Sequence, residues 1–158
     1  MIIEFHNHVH LPEWAKRPYW QGKCPMVIEN VLKVNEEAGV DLIVIDLVGY
    51  DIHIDGSFQM VDRDLALVDP FGLPYSFLEK LKELKVRTIE ITPADNKWII
   101  NSLAVAPGEL IMPEGATNRT LDLMASHGLT WTILPYDRMQ LNGGGIHCST
   151  TPLIRDPV

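Results

Sequence analysis

Apolar and polar residues alternate along this chain in rhythms that change from stretch to stretch. Residues 41–48, Asp-Leu-Ile-Val-Ile-Asp-Leu-Val, are an almost continuous apolar run, the pattern of a strand buried on both faces. Residues 26–38 bring Val27, Val31 and Val34 or Leu32 back at helical spacing and meet Gly39, which predicts a helix with a glycine stop. Beyond residue 57 the rhythm becomes a repeat. Short apolar runs at 58–61 and 65–68 flank the polar turn Asp62-Arg63-Asp64. Residues 74–84 place Phe77, Leu78, Leu81 and Leu84 on one helical face, and 86–91 read as a strand. The same order returns as a strand at 99–105, the turn Ala106-Pro107-Gly108, a strand at 109–112, a helix at 118–126 and a strand at 129–134. The unit is ββαβ, with a period of about 43 residues. Repeats of this length point to blades around an axis or to a solenoid.

The repeat has a chemical consequence. His53-Ile54-Asp55 lies just before the first strand of one unit. Asn142-Gly143-Gly144-Gly145-Ile146-His147-Cys148-Ser149-Thr150 lies in the equivalent place before what would be a later unit. Units related by rotation would bring both segments to the same end of the axis. Three glycines let a backbone turn sharply and approach a ligand closely. A cysteine presented there, with a β-like run beginning at Ser149, looks like a nucleophile. Cys148, His53 and Asp55 would form a nucleophile, base and orienting carboxylate, and a histidinium beside the thiol would favour the reactive thiolate. The plainer alternative is a glycine-rich hairpin turn carrying a small buried cysteine, with His53 satisfied in the core or at the surface.

Composition narrows the partners. The 158 residues carry a formal charge of −8, which argues against nucleic acid and mildly favours cationic ligands, although solubility alone explains it as well. Two cysteines, Cys24 and Cys148, make no disulfide framework, so a reducing cytoplasm is expected. Glu4, His6 and His8 interrupt any secretory leader, and no apolar run reaches membrane-spanning length, so no membrane association is expected. Residues 1–5 read as a strand running into His6-Asn7-His8-Val9-His10, whose imidazoles would share one face. His6 and His8 are weak metal candidates, because zinc needs three or four ligands, so neither a metal nor another cofactor is expected.

From about residue 40 to 158 the chain resembles the amidinotransferase and dimethylarginine dimethylaminohydrolase superfamily, which includes arginine and agmatine deiminases. Ile52-His53-Ile54-Asp55-Gly56 looks like its His-x-Asp motif, and the stretch from Asn142 to Thr150 looks like its nucleophile loop. The resemblance implies a five-bladed α/β propeller of ββαβ units, pentein-like, of which two full and two partial units are read here. It implies that Cys148 attacks the guanidinium carbon of an arginine-like substrate and that His53 moves the proton. Asp55 would orient His53 or pair with the guanidinium. Asn101 and Gly143, Gly144 and Gly145 would line the substrate. The enzyme would be an amidinotransferase or an amidine hydrolase working through a covalent thiouronium.

The first 45 or so residues, with Glu4-Phe5-His6-Asn7-His8-Val9-His10 and Glu36-Glu37-Ala38-Gly39-Val40-Asp41, resemble the start of metal-dependent amidohydrolases of the TIM-barrel type. The expected organisation is an amidohydrolase-like segment at 1–45 followed by amidinotransferase-like blades at 46–158. Two other functions stay open: a non-catalytic remnant acting as an interaction module, and a metal-dependent amidohydrolase fragment. An unclosed ring would leave apolar strand edges that a second copy or a partner chain covers.

Overall fold

A computed structural model describes residues 53–151 together with Ile45. The chain divides into two compact units, Met1–Ile45 and Asp46–Val158, and the elements below belong to the second. The strand at 1–5, the helix at 26–38, Glu4, His6, His8, His10, Cys24 and the amidohydrolase-like segment as a whole lie outside the described residues, as does the run at 41–48 apart from Ile45.

The repeat is present in three dimensions. Strands β1 (Phe58–Asp62) and β2 (Leu65–Val68) form an antiparallel hairpin, helix α1 (Tyr75–Glu83) follows, and β3 (Arg87–Glu90) returns parallel to β2. Strands β4 (Leu103–Ala106) and β5 (Glu109–Pro113), helix α2 (Asn118–Ser126) and β6 (Thr130–Leu134) repeat that order and that pairing. Even the irregularities recur. The register of the first hairpin slips between Met60 and Asp62, and that of the second between Ala104 and Ala106. The Val61 carbonyl accepts from the Gly108 amide at 2.9 Å, which ties the first hairpin to the turn of the second.

One apolar cluster runs through both units. Leu65, Leu67 and Ile89 of the first sheet pack with Leu110 and Met112 of the second, and Met124 of α2 closes over them. All four residues of β2 are buried, as its central place in the sheet requires. Each such side chain contributes roughly 1.5–3 kcal/mol on burial.

Helix α2 is anchored by the buried Asp95. Its carboxylate accepts from the Thr92 amide and hydroxyl, both at 2.8 Å, from the Thr117 amide at 2.7 Å and from the Thr120 hydroxyl at 2.9 Å. Burial alone would raise this carboxyl, but these donors hold it down to about 2.

Two expectations from the sequence are corrected. Residues 99–102 are not strand. Asn96 accepts from the Trp98 amide at 3.1 Å and opens a 3-10 turn, Lys97–Ile99, and β4 begins only at Leu103. The turn buries Ile99 and Ile100 together, which an alternating strand with one covered face would not do. Likewise Ser149 does not begin a β-like run, because His147–Ser149 is a 3-10 turn. A four-residue helix, α3 (Asp137–Gln140), was not foreseen by the pattern.

The helix ends show what the repeat asks of its sequence. After α1 the Val86 amide donates to Leu81 O at 2.8 Å and the Lys85 amide to Lys82 O at 2.9 Å. After α2 the Leu129 amide donates to Met124 O at 3.0 Å and the Gly128 amide to Ala125 O at 2.9 Å, so both helices close in the same way. The turning residue is left-handed in each, Gly128 at φ 79° and Lys85 at φ 60°. A lysine bears a steric cost there that glycine escapes. Lys85→Gly is therefore expected to stabilise the chain by about 0.5–1 kcal/mol in urea denaturation, whereas Gly128→Lys should destabilise it.

Candidate functional site

Two segments distant in sequence meet at the starts of the units. His53 is in extended backbone and caps the 3-10 turn Ile54–Gly56, which leads into β1. The second segment is the turn His147–Ser149, reached through the glycine stretch 143–145. One donor atom each from His53, Asp55 and Cys148 all lie within 4.8 Å of one another. The Asp55 side chain is folded into the turn and 2% exposed, while Cys148 is exposed.

Asn101 joins the segments. It is fully buried in the bend between the Lys97–Ile99 turn and β4. Its side-chain amide donates to the Asp55 carbonyl at 3.1 Å and to the Cys148 sulfur at 3.2 Å. Its side-chain oxygen accepts from the Cys148 amide at 3.0 Å, and its own carbonyl from the His147 amide at 3.0 Å. Asn101 is thus committed to holding Asp55 and Cys148 rather than turned outward to a ligand.

The glycines admit this packing. A Cβ on Gly145 would stand 2.5 Å from Asn101 Oδ1 and 2.6 Å from its Cβ, closer than real atoms approach. A Cβ on Gly144 would meet Cys148 Cβ at 3.4 Å, a tight but tolerable contact. The glycine run is therefore needed, at least at Gly145, for close approach within the protein.

The structure adds a residue that the sequence reasoning passed over. His147 Nδ1 lies 2.8 Å from Asp55 Oδ2, across 92 residues. The same oxygen receives the Cys148 thiol at 3.5 Å. His147 stands in the quoted loop motif, but nothing in its spacing marked Asp55 as its partner.

The electrostatics correct one expectation. Burial pushes the Asp55 carboxyl up, but the hydrogen bond and charge of His147, with the bonds to Cys148 and Asn101, outweigh it and hold the group below the ordinary carboxylate value. Cys148 goes the other way. Partial burial of the sulfur and then the Asp55 carboxylate lift its thiol above the ordinary thiol value, against the pull of a Gly145 backbone bond and of Asn101. The thiol was expected to be lowered by a neighbouring histidinium. Asp55, in direct contact, is the stronger influence.

His53, Asp55 and Cys148 offer an imidazole, a carboxylate and a thiol, which is a donor set a divalent metal can accept. The same three groups are those that nucleophilic chemistry would use. Among the described residues no helix is long and apolar enough to cross a membrane.

Known proteins give the fold a context. No protein-family model matches the chain. Over 107 residues it is 32% identical to a guanylate kinase of Geobacter sulfurreducens, a match spanning 68% of this chain and 48% of that protein. Solved structures resemble it more extensively. The cyanobacterial arginine dihydrolase ArgZ, whose N-terminal domain has also been captured covalently bound to a reaction intermediate, aligns through that domain with a TM-score of 0.64 at 15% identity, over 78% of this chain and 46% of that one. The amidinotransferase SxtG of Microseira wollei aligns at 0.66 and 16% identity, over 85% of this chain and 42% of its own. Inosamine-phosphate amidinotransferase of Streptomyces griseus aligns at 0.57 and 20% identity, over 82% and 41%. The fold is thus a partial, pentein-like α/β propeller, and the chain spans less than half the length of these proteins.

The packing around Gly145 generates a direct test. Gly145→Ala must displace a buried Asn101 that has hydrogen bonds to lose, so it should cost about 1–3 kcal/mol in urea denaturation and slow alkylation of Cys148. Gly56→Ala, where an added Cβ meets nothing within 4 Å, should stay within about 0.5 kcal/mol of the parent. Equal stability of the two variants would contradict the close approach.

Proposed function

We propose that this chain carries the nucleophile side of a guanidino-group-modifying enzyme, an amidinotransferase or amidine hydrolase acting on an arginine-like substrate. The observation that carries the reading is the convergence of His53, Asp55 and Cys148 within 4.8 Å from segments 93 residues apart. The likeness to amidinotransferases and to an arginine dihydrolase supports it.

The chemistry follows from the charges. A free Cys148 thiol beside an ionised Asp55 is a reluctant acid, since ionisation would set two anions side by side. A guanidinium entering against Asp55 removes that opposition. The thiol then passes its proton to His53 and the thiolate sulfur attacks the guanidinium carbon, forming a C–S bond. His53 delivers a proton to the departing nitrogen as the C–N bond breaks, leaving a thiouronium on Cys148 and a free amine. Water or a second amine, giving its proton to His53, then attacks the same carbon; the C–S bond breaks, and His53 returns that proton to the sulfur to restore the thiol. On this reading the substrate's positive charge generates the nucleophile, so an unoccupied site stays unreactive. Neither a metal nor another cofactor is needed in these steps.

A different reading has one observation in its favour. Val105, Ile133 and Leu134 of the second sheet are exposed, and an interaction module would cover them with a second copy or a partner chain. The phosphate chemistry suggested by the Geobacter relative's name lacks support, because this chain contains no Gly-x-x-x-x-Gly-Lys-Ser/Thr loop.

The test uses chloroacetamidine, which imitates the guanidinium and traps a thiolate. Peptide mapping near neutral pH should show Cys148 labelled faster than Cys24, with Asp55→Asn slowing the Cys148 reaction by at least about tenfold through loss of the cation's partner. With neutral chloroacetamide, labelling of Cys148 should keep climbing beyond the pH at which an ordinary thiol levels off, because only the thiolate reacts and this thiol is raised. Equal labelling of both cysteines by the cationic reagent would turn the account toward the interaction module.

A further inference from the structure

Asp55 faces a difficulty that the reaction above leaves to another residue. Its carboxylate is buried, 2% exposed, yet it must stay ionised and keep Oδ2 toward Cys148 for a cation to be drawn in. A buried carboxylate without donors takes up a proton or turns away. His147 places a donor against that oxygen, with its Nδ1 2.8 Å away. His147 cannot drift, because its amide is tied to the buried Asn101 carbonyl at 3.0 Å. Its position next to Cys148 fixes the carboxylate, the sulfur and the donor relative to one another.

We propose that His147 is the positioning residue of this site, its Nδ1–H holding the Asp55 carboxylate ionised and turned to Cys148, so that Cys148 reacts selectively with cationic, amidine-like carbon. The inference rests on the reading of Cys148 as a guanidinium-directed nucleophile. It assigns the selectivity for charge to a residue beside the nucleophile in sequence rather than to the His-x-Asp segment alone. His147 need not touch the substrate, since its effect passes through Asp55.

A ratio of two rates isolates this role. Chloroacetamidine and chloroacetamide are each displaced by the Cys148 thiolate: a C–S bond forms, the C–Cl bond breaks, chloride leaves, and the thiol proton goes to solvent. The reagents differ chiefly in charge, so their rate ratio at Cys148 reports the negative charge at Asp55. A change that only loosens the loop alters both rates and leaves the ratio. The full chain, with Cys24→Ser, is compared with the same chain carrying His147→Leu, His147→Gln or His147→Asn.

The parent should favour the cation strongly. His147→Leu should lower the ratio by at least about tenfold, because a charge-assisted hydrogen bond to a buried carboxylate is lost. His147→Asn should keep most of it, since its amide nitrogen hangs from Cγ where Nδ1 does. His147→Gln, whose donor sits one atom further out, should fall with the leucine variant, and it stands in for that variant if leucine prevents folding. A selective parent whose leucine and glutamine variants keep or raise the ratio overturns the role of His147 while leaving the nucleophile in place. A parent with a ratio near one overturns both.

Discussion

The buried amide of Asn101 is the joint on which the site depends. It reaches the Asp55 carbonyl, the Cys148 sulfur and the Cys148 amide with one side chain, and its backbone carbonyl takes the His147 amide. Every one of these groups is otherwise a polar atom in or beside a closed core, where an unmet hydrogen bond costs about 1–3 kcal/mol. This set of directional bonds ties the segments at 53–56 and 145–149 to one another. It also explains Gly145, whose missing Cβ is the space Asn101 occupies. The ββαβ units carry Asn101 to this point by closing the chain between Lys97 and β4 in a 3-10 turn rather than extending a strand.

What the joint holds together is a conflict of charge. The hydrogen bond and charge of His147 favour the ionised form of Asp55, while partial burial and Asp55 favour the neutral thiol of Cys148. Under the proposed function, a guanidinium set against Asp55 would relieve the conflict, its flat face open to a sulfur aimed at the central carbon. A site that is dormant without its ligand protects the thiol from adventitious oxidation and alkylation, both of which need thiolate. Selectivity and restraint then have one physical origin.

The architecture was legible in the sequence because each ββαβ unit buries one apolar set, and that set returned at a constant interval. The first hairpin, β5, α1, α2, β3 and β6 follow from that rhythm to within a residue or two. The stretch at 99–102 was misread because Trp98-Ile99-Ile100 is apolar enough for a strand, while Asn96 as a turn-opening cap is a subtler mark. The meeting of His53 and Asp55 with Cys148 was legible from the equivalence of their places in the repeat. The bond between His147 and Asp55 was not, since it joins residues 92 apart through a turn whose hand depends on the packing of Asn101. Asn101 entered only through the family resemblance, as a residue lining the substrate, and its commitment to the interior follows only from burial. The raised thiol also needed coordinates, because two groups adjacent to Cys148 compete and only distance shows Asp55 in contact.

The account stands most directly on the titration of Cys148. In a Cys24→Ser chain, thiolate absorbance in the ultraviolet can be followed against pH with and without a saturating guanidino compound such as arginine. The account predicts a thiol that titrates above the ordinary thiol value when alone and well below its own unliganded value once the guanidinium is bound. A thiol already at or below the ordinary value in the empty site, or one that guanidinium leaves unmoved, would contradict it.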